Sequence, residues 1–185
     1  MNFIKTKLEG VVICEPKIHA DERGYFVETF RLDELEKFTQ KKWNFVQDNE
    51  SLSQKGVLRG LHFQLPPFAQ SKLLRVIKGR VLDVALDIRK NSPTFGEFVA
   101  VELSGENKRQ ILLPQGFAHG FLVLENDTIF AYKVDNYYSK ECDRGILWND
   151  SKIAINWGDF YDLNKIILSQ KDKTQPLLSE VKELL

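Results

Sequence analysis

The chain has 185 residues, of which 43% are hydrophobic and 28% charged, a balance that suits one soluble domain over 1–185 burying roughly 70% of its unfolded surface. Its 26 Lys and Arg cancel its 26 Asp and Glu. That neutrality excludes the basic field of a nucleic-acid or membrane-surface binder and leaves room for a small anionic ligand.

The N-terminal stretch "MNFIKTKLEGVVICEPK" is broken by charges before a signal-peptide core can form, and no apolar run approaches a membrane span. Cys14 and Cys142 fit no metal or redox spacing and read as reduced thiols, so a cytoplasmic protein is expected. Residues 31–41, "RLDELEKFTQK", set Leu32, Leu35 and Phe38 at helical spacing. Short runs rich in Val, Leu, Ile and Phe then follow at 44–49, 57–64, 72–78, 80–88, 96–103, 109–113, 119–124 and 128–135. Gly, Pro, Asn or Ser separates them. The closing "PLLSEVKELL" predicts a second helix. Many short strands with turns between them favour an all-β sandwich or barrel. A jelly roll with a few short peripheral helices is the expected form, because it encloses a ligand between its sheets.

Strand parity then sorts the polar residues. Gln47 and Asn49 share one side of "FVQDN", and Lys72 shares parity with Leu74 and Val76. In "VLDVALDIR", Leu82, Val84, Leu86 and Ile88 make an apolar face opposite Asp83, Ala85 and Asp87, with Asp87 expected on the solvent side. His119 lies with Phe117, Phe121 and Val123, and Tyr132 with Phe130 and Val134. Each residue alone has an ordinary structural reading. Together, isolated ionisable groups on partly apolar faces of several strands suggest a site inside a barrel. The three histidines, His19, His62 and His119, form no local ligand pair, so no metal is expected. Neither "GxGxxG", "GxxxxGK" nor "GxSxG" occurs, which leaves dinucleotide, P-loop and serine-hydrolase chemistry without support.

Seven blocks occur in order within a likeness that runs from about residue 10 to residue 172. They are "DERGYF" (21–26), "FVQDNES" (45–51), "GVLRGLHFQ" (56–64), "DVALDIRKNSPTFG" (83–96), "PQGFAHGF" (114–121), "YKVDNYYS" (132–139) and "ILWND" (146–150). The chain thereby resembles the dTDP-4-dehydrorhamnose 3,5-epimerases. The resemblance implies a cupin-type jelly roll acting as a homodimer, without metal or cofactor, on a nucleotide-diphosphate 4-keto-6-deoxy sugar. It implies His62 as general base, Asp172 as the carboxylate orienting it, Tyr132 as the opposing acid, and Lys72 near the C4 oxygen. It further implies Arg23, Phe26, Glu28, Gln47, Asn49, Arg59, His119, Asp143 and Lys171 as substrate-binding residues. Asp143 stands where the family pattern has glutamate, Leu112 where it is often aromatic, and the loop "QLPPFAQSK" is individual. Epimerases of guanosine-linked heptoses, single-carbon epimerases, sugar ketoisomerases and non-catalytic nucleotide-sugar binders are the alternatives.

The chemistry fits these residue types. Hydrogens at C3 and C5 flank a ketone, so each can leave as a proton while charge spreads onto the carbonyl oxygen. Inversion then needs a base on one ring face and a proton donor on the other. Histidine, with an ordinary pKa of roughly 6.5, serves as base, and tyrosine, near 10, stays protonated. One local difficulty remains in "LRGLHFQ". Arg59 and His62 have opposite parity, so a regular strand could not aim both at one ligand. A bulge or kink at Gly60 is expected to solve it.

Overall fold

A computed structural model covering residues 1–185 arranges the short strands as two facing antiparallel sheets. In chain order the strands are β1 (Asn2–Lys5), β2 (Val12–Glu15), β3 (Ile18–Asp21), β4 (Gly24–Val27), β5 (Gln47–Ser53), β6 (Leu58–Gln64), β7 (Lys72–Lys78), β8 (Arg80–Asp87), β9 (Phe98–Ser104), β10 (Gln110–Leu113), β11 (Phe117–Val123), β12 (Thr128–Val134) and β13 (Asp143–Gly145). Helix α1 (Leu32–Thr39) precedes β5, and the single turn α2 (Gln170–Lys173) follows β13. One sheet has the order β1-β2-β10-β7-β12-β5 and the other β13-β6-β11-β8-β9, while β3 and β4 form a separate hairpin. From β6 to β12 the chain passes repeatedly between the two sheets, which is the jelly-roll path expected from the sequence. The expected strand at 44–49 forms three residues late, as β5, and five short strands near the termini carried no separable signal.

The core between the sheets is built from alternate residues of each strand, the period-2 consequence of the pleat. Leu74, Val76, Ile111, Leu113 and Phe130 come from the six-stranded sheet; Val81, Ala85, Val101, Leu103, Phe117, Phe121 and Val123 come from the five-stranded one. The apolar face of β8 points the other way. Leu82, Val84, Leu86 and Ile88 join Leu58, Leu61, Phe63 and Leu122 under Ile146, Ile153 and Trp157 of the C-terminal segment. Strand β8 is therefore buried on both faces. A third cluster outside the six-stranded sheet holds Leu35 of α1 with Trp43, Cys14, Leu73 and Leu112.

Two expectations are corrected. The closing decapeptide is no helix, and only Leu178–Glu180 makes a 3₁₀ turn. Leu178, Val181, Leu184 and Leu185 pack against the outer cluster of the five-stranded sheet, and the Leu185 carbonyl accepts from the Lys90 N–H at 3.0 Å. Tertiary burial of these side chains overrides a modest helical propensity.

Asp87, expected at the solvent side, is instead fully buried. Its carboxylate accepts from Arg89 Nε (2.9 Å), Arg89 Nη2 (2.6 Å), Ser92 Oγ (2.6 Å) and Thr94 Oγ1 (2.7 Å). Burial alone would raise this carboxyl, but the donors outweigh it and hold it at about 2. The group ties down the loop between β8 and β9. Because its folded pKa lies below the unfolded value, its contribution is present above about pH 4 and lost as pH falls through about 2. Asp87→Asn is expected to cost about 1–2 kcal/mol in urea unfolding at pH 7. The gap to the parent protein should close as pH falls from about 4 toward 2. A pH-independent difference would show that lost packing, not charge, is responsible.

Candidate active site

A cavity of about 500 Å³ opens between the sheets. The five-stranded sheet contributes Arg59 and His62 from β6 and His119 from β11; the six-stranded sheet contributes Lys72 from β7 and Tyr132 from β12. The C-terminal segment closes one side with Leu168, Ser169 and Asp172.

Strand β6 explains how both Arg59 and His62 reach this space. His119 of β11 pairs with His62 and Phe121 with Arg59, so two steps along β11 match three along β6. The extra residue lies at Gly60–Leu61, which makes the expected bulge. Gly60 has φ of +124°, and a Cβ on it would sit 2.5 Å from the Gly120 Cα and 2.8 Å from the His119 carbonyl oxygen. Only glycine fits there. Past the bulge, Arg59 and His62 both face inward, and Arg59 Nη2 donates to Ser53 Oγ at 3.1 Å.

His62 Nε2 lies 2.5 Å from Asp172 Oδ1, across 110 residues of chain. The short helix α2 prepares that carboxylate. Its N-cap Ser169 accepts from the Asp172 N–H at 3.1 Å and donates from Oγ to Asp172 Oδ2 at 2.7 Å. One oxygen is thus occupied and the other is free for the imidazole. Burial pushes the Asp172 carboxyl up, yet the hydrogen bonds from His62 and Ser169 prevail and hold it below the usual range. A carboxylate takes the hydrogen on Nε2, so Nδ1 keeps its lone pair.

On the facing sheet, burial pushes the Lys72 amine down to about 8 against the opposing pull of Asp143 and Asp83. Burial pushes the Tyr132 phenol up, with Arg59 pulling the other way, so it stays protonated at neutral pH. His119 donates or accepts through Nε2 at 2.8 Å from Asp83 Oδ2, and burial pushes its imidazole below the usual range.

The other expected residues divide into two groups. Gln47 and Asn49 pair with Val134 and Tyr132 across β5–β12 and so share their inward face, with Gln47 Nε2 donating to Asn49 Oδ1 at 2.8 Å. Gln47 Oε1 accepts from the Tyr138 N–H at 3.2 Å, and the Tyr138 hydroxyl reaches Asp143 Oδ2 at 3.1 Å. The same oxygen is 2.5 Å from Lys171 Nζ. The shorter Asp143, in place of glutamate, is thereby satisfied by Lys171 and Tyr138. Arg23, Phe26 and Glu28 do not line the cavity. Arg23 and Phe26 sit on the exposed β3–β4 hairpin and Glu28 follows it, while Tyr25 of the hairpin accepts from Lys108 Nζ at 2.8 Å.

Sequence reasoning missed Ser53, Ser169 and the partnership of Asp83 with His119. Asp83 had a usable signal in its parity with Ala85, but nothing local distinguished a cavity face from a solvent face. The two serines carry no signal, since only the fold brings them to Arg59 and Asp172.

Residues 5–180 match the family model described as dTDP-4-dehydrorhamnose 3,5-epimerase. The chain is 55% identical over 172 residues to the dTDP-4-dehydrorhamnose 3,5-epimerase of Shigella flexneri, covering 93% of each chain. It is 52% identical over 180 residues to that of Salmonella typhimurium, covering 97% of each. Among solved structures, it superimposes with a TM-score of 0.92 and 48% identity on the dTDP-6-deoxy-D-glucose-3,5-epimerase of Legionella pneumophila in complex with dTDP-4-keto-L-rhamnose. That match covers 98% of this chain and 94% of the other.

The depressed Lys72 amine can be measured directly. In a carbon-detected titration of the lysine side chains, one Cε resonance should titrate near pH 8 and be absent from Lys72→Arg. Every lysine titrating at about 10 or above would mean that the cavity solvates Lys72 as water does.

Proposed function

Because this chain belongs to the dTDP-4-dehydrorhamnose 3,5-epimerase family, we infer that it inverts C3 and C5 of a thymidine-diphosphate 4-keto-6-deoxy hexose by proton transfer. The observation carrying the reading is that an imidazole and a phenol from opposite sheets line one cavity. A hexose held between them meets His62 on one ring face and Tyr132 on the other.

His62 Nδ1 takes the proton from C5 or C3, and the C–H electron pair moves into the ring bond as the C4 carbonyl becomes an enolate. Asp172 fixes the tautomer that leaves Nδ1 free and then steadies the imidazolium. Lys72, beside the C4 oxygen, carries the counter-charge of the enolate. Losing one such donor typically costs about 3 kcal/mol of barrier. Tyr132 delivers its proton to the opposite face, the carbonyl re-forms, and the carbon is inverted. Proton exchange with water resets imidazolium and phenolate before the second carbon reacts. Arg59, whose forked donors suit phosphate oxygens, holds the diphosphate together with Lys171.

Solvent exchange tests this scheme. In D₂O the protein should incorporate deuterium at both C3 and C5 of the thymidine-linked 4-keto sugar. His62→Asn should abolish incorporation at both carbons while dTDP affinity stays within about threefold, since no phosphate contact is lost. Tyr132→Phe should still wash deuterium in from the His62 face but yield little inverted product. Binding of dTDP without exchange in the parent protein would leave a non-catalytic nucleotide-sugar binder; exchange confined to C3 would leave a single-carbon epimerase.

The chain acts as a homodimer in this reading. Arg23 is exposed with Phe26 (70%) and Tyr25 (59%) on a hairpin that does not line the site cavity of its own chain. If Arg23, Phe26 and Glu28 contact nucleotide, they do so in a second copy. Sedimentation should give twice the 21.4 kDa chain mass. Mixing inactive His62→Asn and Arg23→Ala chains should recover about a quarter of parent activity, one intact site in half of the dimers. A monomer, or no recovery on mixing, would refute the shared site.

A further inference from the structure

The cavity wall holds a second imidazole–carboxylate pair that the proton transfers leave unused. Asp83 on β8 pairs with Phe121 of β11 and shares the cavity-side face of Val81 and Ala85. It is fully buried, and its Oδ2 is 2.8 Å from His119 Nε2. Its Oδ1 is a buried side-chain atom with no hydrogen-bond partner at all.

A buried acceptor left unpaired destabilises a fold, so a nearby positive charge is needed to offset it. Lys72 lies on the facing sheet, and the Asp83 carboxylate is one of the two that oppose the effect of burial on its amine. His119 is gripped as well as bonded. Its ring stacks on Phe130, with centroids 6.0 Å apart, and tilts against Phe121 at 5.9 Å. The two aromatic neighbours set the plane of the ring, and the bond to Asp83 sets which edge faces the wall, since a half-turn would put Cε1 where Nε2 stands. Its Nδ1 makes no bond to protein, and the residue lines the cavity.

We propose that Asp83 is a positioning residue: Oδ2 fixes the hydrogen of His119 on Nε2, so that Nδ1 meets the sugar as an acceptor, while the unpartnered Oδ1 adds to Asp143 as negative charge facing Lys72. This rests on the epimerase reading above and adds a constraint on the substrate. The group beside His119 must donate a hydrogen bond, so it is a hydroxyl of the hexose, never the ketone oxygen. Lys72, which can only donate, takes the ketone. The two side chains thereby orient the ring, each rejecting the group the other accepts.

The charges around this pair favour that division. His119 faces Asp83 from β8, Lys72 from β7 and His62 from β6. Burial, Lys72 and any positive charge His62 gains disfavour a second proton on His119, against the pull of Asp83. Lys72 faces Asp143 from β13 and Asp83, with Lys171 of α2 opposing them. Removing Asp83 leaves Asp143, already engaged by Lys171 and Tyr138, as the remaining counter-charge.

The chain has only three histidines, so ¹⁵N-histidine labelling reads the tautomer directly, with His19→Gln and His62→Asn completing the assignment. The parent protein should show His119 protonated on Nε2 and bare on Nδ1. In Asp83→Asn the amide donates to Nε2, the hydrogen moves to Nδ1, and the cavity gains a donor where it had an acceptor. Deuterium exchange into the keto sugar should then fall roughly ten- to a hundredfold, by analogy with the loss seen when the partner that orients a metal-bound histidine is removed. The Lys72 titration should move below its parent value, dTDP affinity should hold within about twofold, and Asp83→Glu should restore part of the exchange. Hydrogen on Nδ1 in the parent protein overturns the proposal, and so does parent-like exchange with an unmoved Lys72 titration in Asp83→Asn. Should that variant not fold, the parent tautomer decides alone. Absence of exchange in the parent protein is a separate result: it removes the epimerase reading, and the sugar-facing half of this proposal with it.

Discussion

One hydrogen bond joins the two ends of the site, between the His62 imidazole on β6 and the Asp172 carboxylate on α2. Without it the C-terminal segment would still be held on the five-stranded sheet by apolar contact and by backbone bonds such as Leu58 N–H to the Ile167 carbonyl at 3.0 Å, but the imidazole would have no fixed tautomer. The bond asks much of both partners. Strand β6 must be bulged at Gly60, where a side chain would strike Gly120. The carboxylate must be pre-set by Ser169 at the helix start. The rest of the segment, with Trp157 buried at 1% exposure and Ile153 beside it, packs on the outer face of the same sheet, while Ser169 and Asp172 reach the cavity that His62 lines.

Charge in the cavity is arranged as opposed pairs rather than as one field. Lys72 and Tyr132 on one sheet and His62 and His119 on the other face a common space, and each histidine is backed by its own aspartate. The two pairs differ in surroundings. Asp172 has both oxygens engaged and is held ionised, whereas Asp83 leaves one buried oxygen without a protein partner. A fully satisfied carboxylate is a stable support for an imidazole that gains and loses a proton. A half-satisfied one makes an electrostatic demand that a nearby ammonium can meet.

The position of Asp143 illustrates how a shortened side chain can be absorbed. Glutamate, expected there, reaches one methylene further; the aspartate instead receives Lys171 and Tyr138 at the cavity rim. Tyr138 in turn carries its backbone N–H to Gln47, so the rim is a connected run of side chains from β5 to α2. Connected polar groups of this kind hold one another in place without a large apolar contact.

Local pattern determined a good deal. Period-2 alternation fixed which residues of β7, β8, β11 and β12 share a face, because the pleat allows no other assignment. The parity conflict between Arg59 and His62 in "LRGLHFQ" required a bulge, and glycine marked its place. Ordered family motifs named His62, Tyr132, Lys72 and Asp172 together. What alternation could not say is which face of a strand meets the cavity. The apolar side of β8 looks like a core face and is one, but its cover is the C-terminal segment, and the opposite side bearing Asp83 and Ala85 lines the interior. Asp87 is buried for a similar reason: its partners Arg89, Ser92 and Thr94 lie in a loop whose path only the fold defines. The last ten residues lost their helical tendency to the sheet beneath them. In each case a short-range preference worth a few tenths of a kcal/mol per residue yielded to apolar burial or a buried charge network worth kilocalories, and those contacts join residues far apart along the chain.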